Sequence, residues 1–151
     1  MSGRYRKIVV PLDGSGWSET ALPHAIDLAR VNNAELILLH IFKSPAHQYT
    51  DQIALAGQDS QIQSMRETAK QKFIGLRNEI REQGINTRVQ WIEGTNVAAL
   101  ICDYVRDEGV DLVVMTSHGY TGIARILCGS VAKQIIEGLN VPVMIIRPGR
   151  D

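Results

Sequence analysis

The chain has 151 residues, of which 44% are hydrophobic and 21% charged, and its 16 basic and 16 acidic residues give a formal net charge of zero. This length fits one domain with a substantial core, and this composition excludes wholesale disorder and fibrous classes. We expect no general nucleic-acid binding, because such binding needs a basic excess. No apolar run approaches the roughly 20 residues that span a bilayer, so we expect no membrane insertion.

The first residues and the cysteines bear on the compartment. Met1–Lys7 contains no apolar stretch of signal-peptide length. The two cysteines, Cys102 and Cys128, lack the spacing of a disulfide framework or a zinc site. We therefore expect a cytoplasmic protein with two reduced cysteines, and a redox role for Cys128 is the alternative.

Five strand candidates alternate with four helix candidates. The strands are Lys7–Leu12, Glu35–Phe42, Thr87–Glu93, Asp111–Met115 and Pro142–Arg147. Four of them contain unbroken apolar runs, which are typical of parallel strands covered on both faces. In Thr87–Glu93 apolar and polar residues alternate, which indicates one face in water. We therefore place this third strand at an edge of the sheet.

The helix candidates show apolar residues at steps of three and four. They are Gly16–Val31, in which Pro23 either kinks the helix or marks its first turns; Gln61–Gln83; a helix capped by Thr95 or Asn96 and ended by Gly109; and Ser130–Leu139. The polar segment Lys43–Ser60 has little periodicity, which predicts a mobile surface loop or a lid.

Strand–helix alternation along the whole chain predicts one domain, residues 1–151, with an α/β fold. We expect an open, doubly wound, five-stranded parallel sheet with helices on both faces. Two strand orders are common, 3-2-1-4-5 and 2-1-3-4-5, and an edge position for the third strand favours the first. In that order the chain reverses direction between strands one and four. Ligands bind such sheets at the carboxyl ends of the strands beside that switch point.

The loop after the first strand contains candidate binding residues at this crevice. It begins at Leu12 and includes Asp13 and Ser15. The Asp13 carboxylate can accept hydrogen bonds from ribose hydroxyls or an adenine amine. The alternative is that Asp13 only caps the following turn or helix, which is a common position for aspartate.

The loop after the fourth strand contains Thr116, Ser117, His118 and Gly119, and Gly129-Ser130 opens the last helix. Glycines let a ligand approach the backbone closely, and a helix start offers unpaired amides to a phosphate. The alternative is an ordinary loop with a serine cap. The position of this loop and helix start opposite Asp13 favours a phosphate-binding site. A Walker-type phosphate loop, a complete dinucleotide fingerprint and a serine-hydrolase elbow are absent from the sequence.

Gly119, followed after nine residues by Gly129-Ser130, resembles the later half of the nucleotide-binding signature of universal stress proteins, G-x2-G-x9-G-S/T. The segments Val9–Ser15, Leu38–Ile41 and Val141–Ile146 resemble that family's first, second and last strands. Thr116 stands where the signature has its first glycine. A side chain there either narrows the approach of a triphosphate or is harmless, if the backbone keeps an ordinary conformation.

The resemblance implies a small cytoplasmic homodimer of the stress response that binds ATP and regulates an unidentified partner protein. It implies that Pro11, Asp13, the Ile41 backbone and Met115 hold adenine and ribose, and that His118, Gly119, Gly129, Ser130 and Val131 hold the phosphates. We add Leu12, Ser15, Thr116 and Ser117 as further candidates, and name no catalytic or metal-ligating residue. Any Mg²⁺ would be held mainly by the phosphates.

The last strand is apolar, yet the predicted order places it at an edge. An exposed apolar edge promotes aggregation unless it is covered. Pairing of two copies through Val141–Arg147 would cover it, and the alternative is cover by the chain's own Pro148–Asp151.

The sequence leaves three candidate functions: an ATP-binding regulatory homodimer, a slow ATPase using the same crevice, or a nucleotide-free dimeric interaction protein.

Overall fold

A computed structural model describes residues 3–43, 59–117 and 130–147, and these form a five-stranded parallel sheet flanked by helices. The strands are β1 Lys7–Leu12, β2 Glu35–Phe42, β3 Thr87–Glu93, β4 Leu112–Thr116 and β5 Val143–Ile146. Their order is β3-β2-β1-β4-β5, and each neighbouring pair is parallel. The predicted α/β fold and strand order are therefore confirmed.

The helices are α1 Gly16–Glu19, α2 Leu22–Asn32, α3 Asp59–Arg81, α4 Val97–Glu108 and α5 Ser130–Gly138. None of these described helices combines the length and apolar character needed to cross a membrane. The prediction that helix α4 is capped by Thr95 or Asn96 is resolved in favour of Asn96, whose Oδ1 accepts a hydrogen bond from the Ala99 amide at 3.2 Å.

The prediction of one helix over Gly16–Val31 is wrong, because the segment forms two helices. Helix α1 ends at Glu19, and the Thr20 hydroxyl donates to the Trp17 carbonyl at 2.6 Å. Pro23 lies in the first turn of α2, where its missing amide costs no helical hydrogen bond. The predicted loop Lys43–Ser60 is also too long, since α3 begins at Asp59. Residues 44–58 lie outside the described residues.

The sheet has a buried layer of side chains on each face. Ile8 and Val10 of β1 point towards α2 and α3, whereas Val9 between them points towards α4 and α5. All three side chains are fully buried. This double burial explains the unbroken apolar run of β1, because successive strand residues point to opposite faces.

The two edge strands differ in how their side chains are covered. In β3 the polar face is half-buried rather than open, because Arg88 pairs with Glu35 at 3.3 Å and with Glu108 at 3.4 Å. In β5 the side chains are apolar but incompletely covered, and Met144 is 37% exposed. The β5 edge therefore presents apolar surface on the described part of the chain.

Candidate functional site

A cavity of about 1000 Å³ lies at the carboxyl ends of β1, β2 and β4. One face of α3 and the starts of α4 and α5 complete its walls. It occupies the predicted switch point between β1 and β4. Its volume is at the upper end of the roughly 300–1,000 Å³ typical of small-molecule pockets.

The structure brings most of the predicted site residues together in this cavity. Its lining includes Pro11, Leu12, Asp13, Ile41, Met115, Thr116, Ser117, Ser130 and Val131. Ser15 is not part of the lining but contacts Asp13. His118, Gly119 and Gly129 lie outside the described residues.

Asp13 makes the turn contacts of the capping alternative and also faces the cavity. Its Oδ1 accepts from the Ser15 amide at 2.9 Å and from the Ser15 hydroxyl at 2.5 Å. Ser15 in turn caps α1, accepting at Oγ from the Ser18 amide at 3.2 Å. Both of these hydrogen bonds use Oδ1. The two interpretations of Asp13 are therefore compatible, because the residue stabilises the turn and also lines the cavity.

Thr116 and Ser117 close the end of β4 beside the cavity. Thr116 is 6% exposed, and the Ser117 amide donates to the Ile146 carbonyl at 2.9 Å. Among the described non-glycine residues, only Asn33 has a positive φ, so the Thr116 backbone is ordinary strand. A β-branched residue is favourable in that conformation. Replacement of the signature glycine therefore causes no backbone strain at Thr116.

The start of α5 supplies the polar end of the site. Ser130 is its first residue, Val131 is its second, and both line the cavity. The first amides of a helix have no partner within the helix and lie at the positive end of its dipole. Together with the Ser130 hydroxyl, they are suited to an anionic group.

His40 is a site residue that the sequence did not single out. It is 7% exposed, lines the cavity, and its Nδ1 lies 2.7 Å from the Leu12 carbonyl oxygen. Burial lowers the pKa of His40, outweighing the opposing effects of the Leu12 carbonyl and the Asp13 charge. The imidazole is therefore neutral at pH 7, with the proton on Nδ1.

Helix α3 forms one wall of the cavity, and none of its residues was predicted to belong to the site. Its contribution consists of Ser64, Met65, Thr68, Ala69, Lys72 and Phe73. Their spacing of three and four marks one helix face, which sequence periodicity can detect. The periodicity does not reveal that this face borders the β1 and β4 ends, because α3 comes from a distant part of the chain.

Few charged groups line the cavity within the described residues: the acid Asp13 and the cations Lys43 and Lys72. Lys72 Nζ donates to the Gly14 carbonyl at 2.6 Å and pairs with Glu19 at 2.9 Å. No group of three His, Cys, Asp or Glu side chains that could hold a metal ion occurs in the described ranges.

Comparison with solved structures identifies proteins of the same architecture. The protein MJ0577 matches with a TM-score of 0.83 and 28% identity, over 99% of this chain and all of the other. UspA from Lactobacillus plantarum matches with a TM-score of 0.84 and 21% identity, over 97% of this chain and all of the other. A universal stress protein from Archaeoglobus fulgidus in complex with dAMP matches with a TM-score of 0.64 and 22% identity, over 94% and 98% of the two chains.

Sequence comparison agrees with this architecture. Universal stress protein MJ0577 from Methanocaldococcus jannaschii is 30% identical over 159 aligned residues, covering 97% of this chain and 98% of the relative. The model of the universal stress protein family matches residues 4–147, nearly the whole chain. The chain therefore belongs to the universal stress protein family.

Proposed function

We propose that this protein binds ATP in the cavity between the carboxyl ends of β1 and β4. The observation that carries the proposal is the convergence of Asp13 and the Ser130–Val131 helix start on one cavity, although they come from opposite ends of the chain. An acceptor for ribose hydroxyls and donors for phosphates thus border the same space. Apolar groups of Pro11 and Met115 line it as well, and such groups suit the faces of a purine.

The Archaeoglobus fulgidus relative supports this proposal at the level of the fold. That protein was solved in complex with dAMP, and its chain has the architecture described above. An adenine nucleotide is therefore compatible with this fold. On this proposal, any Mg²⁺ enters with the phosphates and neutralises part of their charge.

The decisive experiment is equilibrium binding of labelled ATP to freshly purified, nucleotide-stripped protein. We expect saturable binding, weakened about tenfold by Asp13→Asn, because a hydrogen bond to a charged acceptor is worth roughly 1.5–3 kcal/mol. Asparagine retains a carbonyl oxygen for the Ser15 contacts, so the turn should persist. Asp27→Asn is the matched control, since Asp27 is an exposed acid of α2. Absence of saturable binding at millimolar ATP would favour the nucleotide-free interaction protein.

The proposal extends to a cytoplasmic homodimer formed through the β5 edge. Its support is the incomplete cover of that strand, where Met144 is 37% exposed, together with 43% exposure of Ile136 on α5. Pairing two copies would remove this apolar edge from water. On this proposal, nucleotide occupancy changes a surface that a regulatory partner protein reads.

A further inference from the structure

Lys43 follows the last residue of β2 and lines the cavity at the carboxyl ends of β1, β2 and β4, which we call the main cavity. It also lines a second cavity of about 420 Å³, which includes Asn96 at the start of α4 and Gln134 on α5. Val97 and Val131 border both spaces. Lys43 therefore stands where the main cavity continues into a smaller polar one.

Lys43 and Lys72, the two lysines that line the main cavity, differ in their contacts. Lys72 is engaged by the Gly14 carbonyl and the Glu19 carboxylate. The exposed Lys43 has no hydrogen bond or ion pair within the described residues. Because no described acid neutralises it, the Lys43 ammonium can bind an anionic ligand without first breaking a contact to the described part of the chain.

The second cavity indicates which part of a nucleotide reaches Lys43. None of the residues assigned to adenine and ribose lines it, whereas Val131, assigned to the phosphates, does. A ligand with its base at Pro11 and its first phosphate at Ser130 would therefore extend its further phosphates past Val131. Lys43 and Val131 border the same two cavities, so Lys43 is a candidate cation for these further phosphates.

We propose that Lys43 is a specificity-determining residue that contacts the phosphates beyond the first and so selects nucleoside triphosphates over monophosphates. The inference rests on the proposed nucleotide function. Lys43 contributes a point charge whose interaction grows with the charge of the phosphate chain and weakens with added salt.

The test compares the affinities of the nucleotide-stripped protein and its variants for ATP and AMP by calorimetry. Lys43→Gln should weaken ATP binding about three- to fivefold and AMP binding less than about twofold, as for one partly screened ion pair. Lys43→Arg should restore the preference for ATP. Lys70→Gln is the charge-matched control, because Lys70 lies on α3 with its Nζ 5.2 Å from the Trp91 ring centroid and borders neither cavity. Its affinities for both nucleotides should equal those of the wild type.

Two results would overturn the inference while leaving the nucleotide function intact. One is equal weakening of AMP and ATP in Lys43→Gln, and the other is no change for either, each with wild-type binding still sensitive to Asp13→Asn. If the wild-type protein binds neither nucleotide, the proposed function and this inference both fail. Thermal melting of Lys43→Gln should match that of the wild type, since the side chain is exposed.

Discussion

His40 Nδ1 lies 2.7 Å from the carbonyl oxygen of Leu12, and this contact joins the carboxyl ends of β2 and β1 beside the cavity. Because a carbonyl only accepts, Nδ1 carries the proton. The imidazole also packs against aromatic rings, with centroid distances of 4.6 Å to Phe73 and 5.0 Å to Trp91. One neutral histidine thus ties two strand ends to the wall formed by α3.

We predict that acidification destabilises the protein through His40. The folded-state pKa of His40 is lowered from about 6.5, so below that pH the unfolded chain takes up a proton that the folded protein resists. The contribution of neutral His40 to the free energy of unfolding is therefore complete above pH ~6.5. It is lost as the pH falls towards the lowered pKa of the folded state. The free energy of unfolding, measured with urea at pH 7.5 and pH 5.5, should decline less in His40→Gln than in the wild type.

The control for this prediction is His24→Gln, since His24 is exposed on α2. Its unfolding free energy should follow the wild-type pH dependence. A decline of equal size in His40→Gln and the wild type would show that His40 does not cause the effect.

We predict that Gly14 and Gly16 respond oppositely to alanine. Gly14 has φ +90°, where a side chain is strained, whereas Gly16 is the first residue of α1 and has no positive φ. Gly14→Ala should cost about 1–2 kcal/mol of unfolding free energy and weaken ATP binding by disturbing the adjacent Asp13. Gly16→Ala should be neutral or stabilising, because open space surrounds its Cβ position. Chemical denaturation and ATP titration of both variants test this, and equal losses would contradict it.

We predict that Lys72 positions the loop that contains Asp13 and Gly14. It should not discriminate between nucleoside monophosphates and triphosphates. Its contact with the Gly14 carbonyl and its ion pair with Glu19 join α3 to that loop. Lys72→Met should therefore weaken AMP and ATP binding by the same factor and cost about 0.5–1 kcal/mol of stability, as expected for partly exposed contacts.

A double-mutant cycle isolates the ion pair. Lys72→Met and Glu19→Gln should be non-additive in unfolding free energy, since each removes the same contact. Additive losses would mean that the pair contributes nothing. A selective loss of ATP affinity in Lys72→Met would assign this lysine the role proposed for Lys43.

We predict that Met144→Lys prevents dimer formation. A charge on an exposed edge strand disfavours strand pairing between molecules. Val31→Lys is the control, since Val31 is 80% exposed on α2 rather than on the β5 edge. Light scattering after size exclusion should report a monomer for Met144→Lys and a dimer for the wild type and Val31→Lys. A dimeric Met144→Lys protein would place the interface elsewhere.

Local sequence patterns were sufficient to predict the strand order of the sheet. The apolar run Ile8–Val10 predicts burial on both faces, and the alternation in Thr87–Glu93 predicts an edge strand; together they give the order that the structure shows. The strand order then predicts the switch point, and the cavity lies there. The boundary between α1 and α2 was not predicted, because apolar spacing continues across Thr20 while the chain closes one helix and starts another.

The amino-acid sequence alone specified the order of strands and helices, the strand ends that meet at the crevice, and the candidate residues beside β1, β4 and α5. Only the tertiary structure decided which face of α3 walls the cavity, how Lys72 reaches Gly14, and where Lys43 stands. The reason is physical: periodicity records which residues of an element share a face, because it reflects local backbone geometry. The neighbour that this face meets depends on packing between distant segments, which no local pattern encodes.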